Sequence, residues 1–334
     1  MQTATGRRAL ITATGSYAPA RELPNAYFNE LLGEDVDTWL RQNVNIHSRR
    51  WCAEDESVAD LCEHAARQAL QRAGVRADEL DLLIVATDTP EYVSPSTAAV
   101  LQHRLGATGA GTFDLNAACA GFVTALDVAA KYIASDRRYN RVLVIGGYAM
   151  SKYLDLTDKK TVTLFADGAG AVLLTSAENT DRGFLTSRLH TEGQYTGWMG
   201  IYAGATNQPL TADVLARNDH KLKFVHRFPK EINPDIWTRL AKEMGADIGV
   251  CPCEVDHYVM TQLNVHAIYE TLDRLGVPRE RAPLIMEQFG YTGSAAIPMA
   301  LDVAVSSSSI KENDLVFLIG SGGGLAFAGA AFRM

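Results

Sequence analysis

The sequence lacks the features that would direct it to a membrane, a nucleic acid or an oxidising compartment. No uninterrupted apolar run reaches the ~18–20 residues that span a bilayer. The N-terminal MQTATGRRALITATGSY carries two arginines, but its apolar part, ALITATG, is too short and too polar for a signal core. Positive charge is in the minority: 31 Lys and Arg against 39 Asp and Glu leave a net charge of −8. That sign disfavours broad binding to nucleic acid or anionic lipid. The short basic stretches, Arg137, Arg138 and Arg141 or Lys221, Lys223 and Arg227, read as solvated faces. Cysteine is sparse and odd in number: Cys52, Cys62, Cys119, Cys251 and Cys253. Such a set does not read as a disulfide framework. In Cys251-Pro-Cys253 a single residue separates the sulfurs, fewer than zinc pairs use, and no matching Cys/His pair follows, so no metal is expected. A dinucleotide fingerprint is missing too. FADGAGAVLL, 165–174, has neither the GxGxxG order nor a following helix, and reads as a turn feeding the strand AVLLT. These absences make a cytoplasmic protein the default, without nucleic-acid or membrane partners.

What is present is a large apolar core and a repeat. Hydrophobic residues make up 47% of the 334, and charged residues 21%, as in ordinary soluble proteins of more than one domain's length. DLLIVATDTPEYVSPSTAAVLQHRLG, TFDLNAACAGFVTALDVAAKYI and RVLVIGGYA are echoed by DHYVMTQLNVHAIYETLDRLG, MEQFGYTGSAAIPMALDVAV and LVFLIGSGG. Asp81 matches Asp256 and Leu126-Asp127-Val128 matches Leu301-Asp302-Val303, both at an offset of 175. A long-period repeat of this kind indicates a duplicated half. Runs such as LLIVA, VLVIG and VFLIG do not alternate, so they predict strands buried on both faces, interleaved with helices in mostly parallel sheets. The stretches 120–134 and 294–305 are apolar nearly all round, which predicts two helices sandwiched between two sheets. The halves are expected to part at the polar SAENTDRG, giving 1–180 and 181–334.

In DLNAACAGF, 114–122, the repeat equates Cys119 with Ser294 and Asn116 with Tyr291. It places Cys119 at a strand-to-helix junction, where free N–H groups and the helix dipole favour a thiolate. The flanking Ala117, Ala118, Ala120 and Gly121 are small enough for a substrate to approach. Free cysteine is also a common core residue, and position alone leaves nucleophile and packing residue equally open. The other four cysteines lack this context and read as structural. SGGGLAFAG, 321–329, follows a buried strand, and its glycines permit close backbone approach. An N–H from this turn would join that of Cys119 in an oxyanion hole; the competing reading is a plain tight turn.

Together these segments resemble the thiolase superfamily and, within it, β-ketoacyl-acyl-carrier-protein synthase III, over nearly the whole chain. The resemblance implies a duplicated, five-layered αβαβα fold with two mixed sheets around buried helices. It implies a homodimer built through the first half. It also implies an acyl group moved onto Cys119 from coenzyme A or from the phosphopantetheine of acyl carrier protein, with no tightly bound cofactor. The oxyanion hole would be the amides of Cys119 and Gly323. Trp39 aligns with a tryptophan that stacks on the coenzyme A adenine, with Lys159 in place of a basic residue on the other side. An ordinary half-buried aromatic is the alternative for Trp39. Asn43 stands where relatives have an arginine. His266 occupies a position often basic for carrier-protein docking. Ser94 replaces a bulky aromatic that closes the acyl pocket across the dimer, which suggests a longer or more polar acyl group.

The chain departs from the family at two of three catalytic positions. The HQAN-like segment is MTQLN, with Thr261 at the histidine position and Gln262 and Asn264 kept. The GNTS-like turn is GYTGS, with Tyr291 for asparagine. Decarboxylating a malonyl thioester builds enolate charge that needs two donors, and losing one costs on the order of 10²–10³ in rate. Thr261 and Tyr291 each donate one hydrogen bond, and neither titrates near neutrality. Acylation of Cys119 needs only thiolate and oxyanion hole. The first reading is therefore an acyltransferase with another acceptor, in fatty-acid-like or secondary-metabolite biosynthesis. The others are a malonyl-condensing synthase using Thr261 and Tyr291, and a catalytically quiet partner subunit. His257 and His266 lie near the lost histidine but read as ordinary structural or surface residues.

Overall fold

The computed structural model describes residues 6–334; the first five residues of the N-terminal segment discussed above lie outside the described residues. In chain order the elements used below are β1 (Arg7–Tyr17), α1 (Asn25–Leu32), α2 (Asp37–Val44), α3 (Val58–Ala73), β2 (Leu82–Ala86), α4 (Thr97–Leu105), β3 (Gly111–Leu115), α5 (Gly121–Ser135) and β4 (Arg141–Ala149). They continue with β5 (Asp167–Glu178), β6 (Gly183–Thr191), α6 (Ile232–Ile248), β7 (His257–Met260), α7 (Val265–Leu275), α8 (Ala296–Ser306), β8 (Leu315–Gly322) and β9 (Ala326–Arg333).

The strands form two main mixed sheets. The first has the order β1-β5-β4-β2-β3, parallel within β4-β2-β3 and antiparallel at β1-β5-β4. The second has the order β7-β8-β9-β6, parallel only between β7 and β8. LLIVA in β2 is buried at every position, as its lack of alternation predicts. Helices α3 and α4 cover the outer face of the first sheet, α6 and α7 that of the second, and α5 and α8 lie between the sheets. This is the five-layered arrangement expected from the resemblance. The repeat is complete except at β3, whose counterpart before Tyr291 is the short helix Met286–Phe289. The second sheet is thus one strand narrower.

The repeated aspartates do repeated work. Asp81 accepts from Arg141 N at the start of β4 (2.8 Å), and Asp256 from Leu315 N at the start of β8 (2.8 Å). Each ties a strand to its parallel neighbour. The second pair is buried on the central helices. Asp302 of α8 accepts from the hydroxyls of Thr14 and Ser16 on β1 (both 2.6 Å) and pairs with Arg72. Asp127 of α5 accepts from Ser187 on β6 and pairs with Lys131. Each central helix is therefore fastened to the outer strand of the other half.

Three expectations are corrected. DGAGA is not a turn but the beginning of β5, and its glycines answer to α8: a Cβ on Gly170 would lie 2.6 Å from the Pro298 Cβ, and one on Gly168 2.6 Å from the Met299 sulfur. Ala118–Ser135 is, at mean hydropathy 1.2 over 18 residues, long and apolar enough by composition to cross a membrane, against the expectation that no stretch is. It is instead the central helix with its approach, apolar because both faces are covered by sheets. Cys251 and Cys253, read as structural and outside any disulfide framework, are joined in a disulfide, their Cα atoms 5.2 Å apart and within bridging range.

Candidate active site

Parallel strands β2 and β3 end side by side, and the chain leaving β3 builds the position of Cys119. Thr87 N donates to Leu115 O (3.1 Å), the last bond between these two segments. Asn116 Oδ1 then accepts from Ala118 N (3.0 Å), and Gly121 N donates to Ala118 O (2.9 Å). The turn forces Ala118 to φ 46°, a left-handed conformation that costs a residue with a Cβ about 1–3 kcal/mol. Cys119 follows on the elbow and α5 starts two residues later. From the other side, β8 presses its glycines onto this elbow. A Cβ on Gly322 would collide with Cys119 N, and one on Gly320 would come within 3.1 Å of the Ala120 Cα. Gly323 lies one residue beyond, in the turn to β9, where a Cβ would stand 3.5 Å from the Met199 carbonyl. The amide of Cys119 and the glycine turn are thus in one place, contributed by opposite halves.

Cys119 is 4% exposed. Burial pushes its thiol above the ordinary range and the charge of Asp88 adds to this, while hydrogen bonds from Tyr291 and from its own backbone oppose it. The expected ready thiolate is corrected in direction: desolvation opposes the thiolate more than the helix start favours it. The Tyr291 hydroxyl that bonds the sulfur is itself buried and raised well above its usual value by that burial. Its backbone is clamped to the 164–166 segment, Tyr291 N to Leu164 O (3.0 Å) and Ala166 N to Tyr291 O (2.9 Å). Its ring packs on Phe165 at 5.5 Å between centroids. Tyr148, at the end of β4, fills the remaining wall; Gly293 (φ 50°) is required there because a Cβ would run into the Tyr148 ring.

The Thr261 hydroxyl is engaged by backbone. It accepts from Ser321 N (2.8 Å) and donates to Ser321 O (3.4 Å), stitching the end of β7 to β8. Gln262 is equally committed, to Met260 O, Pro283 O and Ile285 N. Asn264 caps α7 by accepting from His266 N and Ala267 N. His257 begins β7, at the end remote from Thr261, and faces Asp314 at 3.4 Å.

The other predicted binding residues gather around the α1–α2 hairpin. Trp39, on α2, is 52% exposed, leaving its ring free for contact. Lys159 reaches Glu34 between α1 and α2 (3.0 Å), so its charge is already answered. His266 Nε2 lies 3.3 Å from Gln42 O, one turn along α2 from Trp39. Asn43 Nδ2 donates to Trp39 O. Ser94 stands apart, in an open surface cavity with Thr87, Pro90, Tyr92, Asp114 and Asn116.

Sequence reasoning missed Asp88 and Tyr148. Both close out strands of the parallel core, β2 and β4, whose C-terminal ends are where such sheets place their chemistry. A charged residue two positions after the fully apolar LLIVA was the available signal.

Comparison with known proteins agrees with this geometry. The family model described as 3-oxoacyl-[acyl-carrier-protein] synthase III matches residues 113–193, and its C-terminal counterpart matches 245–334. The chain is 38% identical to an acetoacetyl CoA synthase of a Streptomyces species, over 95% of each chain. It is 37% identical to a beta-ketoacyl-[acyl-carrier-protein] synthase III of Rhodobacter capsulatus, over 98% of this chain and 99% of that one. The crystal structure of the 3-oxoacyl-[acyl-carrier-protein] synthase III of Aquifex aeolicus superposes with a TM-score of 0.89 at 31% identity, covering 98% of this chain and all of that one.

Proposed function

Because the chain belongs to the 3-oxoacyl-[acyl-carrier-protein] synthase III family, we propose that it loads an acyl group from a coenzyme A or carrier-protein thioester onto Cys119 and passes it to an acceptor other than a malonyl thioester. One observation carries this reading: the two hydroxyls that replace the family's donors are divided between different tasks. Tyr291 bonds the Cys119 sulfur, and Thr261 is bound to the backbone of Ser321. An enolate from decarboxylation would find one free hydroxyl donor at most, and a missing donor costs on the order of 10²–10³ in rate. Acyl loading asks less of the site. The carbonyl oxygen goes to the Cys119 amide and the 322–324 turn, and Tyr291 steadies the sulfur as it leaves in the second step.

A second reading, carbon–carbon condensation, is favoured by the company the chain keeps, since the Streptomyces relative is named for that product. One experiment separates the two. The protein and Cys119→Ala are incubated with acyl-coenzyme A and acyl-carrier-protein panels and weighed intact. A mass gain in the wild type that Cys119→Ala lacks is expected, followed by little carbon dioxide release on adding malonyl thioester. No Cys119-dependent adduct with any donor would reject acyl transfer; rapid carbon dioxide release would reject the non-malonyl acceptor.

A further inference from the structure

Asp88 has a carboxylate oxygen that no ion pair or hydrogen bond among the described residues explains. Its Oδ1 is buried and meets no hydrogen-bond donor among the described residues. The backbone around it is nonetheless tightly held. Thr87 N bonds Leu115 O, Thr89 N bonds Thr87 Oγ1 (3.0 Å), and Ala149 N bonds Thr89 Oγ1 (2.9 Å). These bonds fix Asp88 just beyond β2, beside the end of β3 from which the Cys119 elbow departs. The start of α5 closes on the same corner, where a Cβ on Gly121 would stand 3.4 Å from the Ala86 Cβ. Four groups feel the charge of Asp88: Cys119 on the elbow, Tyr148 at the end of β4, Tyr153 just after it, and Tyr291 in the GYTGS turn. All four are neutral acids, and none is a cation that would tie the carboxylate down.

We propose that Asp88 is the general base of this site, taking the Cys119 thiol proton as the sulfur attacks an acyl thioester. This rests on the acyl-loading reading above. In the first step the sulfur–carbonyl bond forms and the carbonyl–carrier sulfur bond breaks. The thiol proton passes to Asp88 and from there to the departing thiolate. In the second step the acceptor's oxygen, nitrogen or sulfur bonds the carbonyl and the bond to Cys119 breaks. The acceptor's proton passes to Asp88 and then to the Cys119 sulfur. No oxidant or reductant is involved.

The arrangement explains a thiol held protonated in an active site. The negative carboxylate that opposes thiolate loses its charge by accepting the thiol's proton, so the pair carries a single negative charge before and after the transfer. Burial raises Asp88 to about 6, close enough to neutrality for it both to accept and to return a proton. The neighbouring histidines are engaged elsewhere, His257 with Asp314 and His266 with Gln42 O.

The test is single-turnover loading of the full chain, quenched and weighed intact, for wild type, Asp88→Asn and Asp88→Glu across pH 5–9, beside alkylation of Cys119 by iodoacetamide. Wild-type loading should rise with pH through about 6, as the carboxylate ionises. Asp88→Asn should load on the order of 10²–10⁴ more slowly, without that rise, and Asp88→Glu should recover part of the rate. Iodoacetamide should meanwhile alkylate Asp88→Asn at lower pH than wild type, because the opposing charge is gone. Loading of Asp88→Asn at the wild-type rate with the wild-type profile would overturn the proposal. So would loading that accelerates in step with alkylation, since Asp88 would then only burden the thiol. If Asp88→Asn fails to fold, Asp88→Ser takes its place with the same expectations. A wild type that gains no acyl mass rejects acyl loading and this proposal together; a wild type that loads, with indifferent variants, rejects Asp88 alone.

Discussion

At the scale of the residue, the sulfur of Cys119 is governed by two side chains that act in opposite directions. Asp88 holds the proton on; the Tyr291 hydrogen bond favours its departure. Tyr291→Phe keeps the ring against Phe165 and removes only the hydroxyl. A hydrogen bond to a charged group is worth about 1.5–3 kcal/mol, so loading should slow by roughly 10- to 150-fold. The pH at which iodoacetamide alkylates Cys119 should move upward. Equal alkylation profiles for the variant and wild type would show that the hydroxyl does not serve the thiolate. The cysteine itself was legible in the sequence because the repeat located it at a strand-to-helix junction. The direction of Thr261 was not, because a threonine at a strand end serves cavity or backbone equally well, and the choice belongs to Ser321 on another strand. Asp88 was invisible for a related reason. It lies 31 residues before Cys119, and only the adjacency of β2 and β3 brings the two together.

At the scale of the element, β8 shows why glycine was misread in one place and correctly weighed in another. Sequence reading takes 165–174 for a turn, which Gly168 and Gly170 overturn because they lie in a strand, β5, whereas the close backbone approach expected of the 321–329 glycines is met at Gly322 of β8. In those strands glycine marks a helix or elbow crossing too closely for a Cβ, and no local pattern announces that. The strands themselves were legible because an apolar run without alternation requires cover on both faces, and α5 and α8 were legible as the helices that supply it. Gly322→Ala tests the contact. The methyl must displace the Cys119 amide, an overpacking that should cost about 1–3 kcal/mol and reduce loading far more than that loss of folded protein explains. Gly193→Ala, whose Cβ meets nothing within 4 Å, is the control and should leave melting temperature and loading unchanged. Normal loading by a stable Gly322→Ala protein would remove β8 from the site.

At the scale of the whole molecule, the two aspartates on the central helices hold the halves to each other. Asp302 receives Thr14, Ser16 and Arg72, and Asp127 receives Ser187 and Lys131. Asp302→Ala would strand two hydroxyls in a largely buried setting, each costing about 1–3 kcal/mol, and should lower stability by roughly 2–5 kcal/mol. Denaturant unfolding should then show an earlier midpoint with an unchanged slope, because both halves still unfold as one unit. A variant as stable as wild type would mean the hydroxyls find other partners. This fastening was partly foreseeable, since Leu-Asp-Val recurs at the same offset in both halves. That each aspartate reaches across to the other half was not, because the repeat shows equivalence and not which copy an arm grasps.

The contact of Gly322 with Cys119 also sets the enzyme's timetable. The two residues are 203 positions apart, so at ~5–20 residues per second a ribosome takes about 10 to 40 s to add the second after the first. For that interval the growing chain has Cys119 but not the strand that packs on its amide. On the acyl-loading proposal, the emerging chain is expected to be inert towards acyl donors until its last sheet closes. Only a finished molecule can begin work.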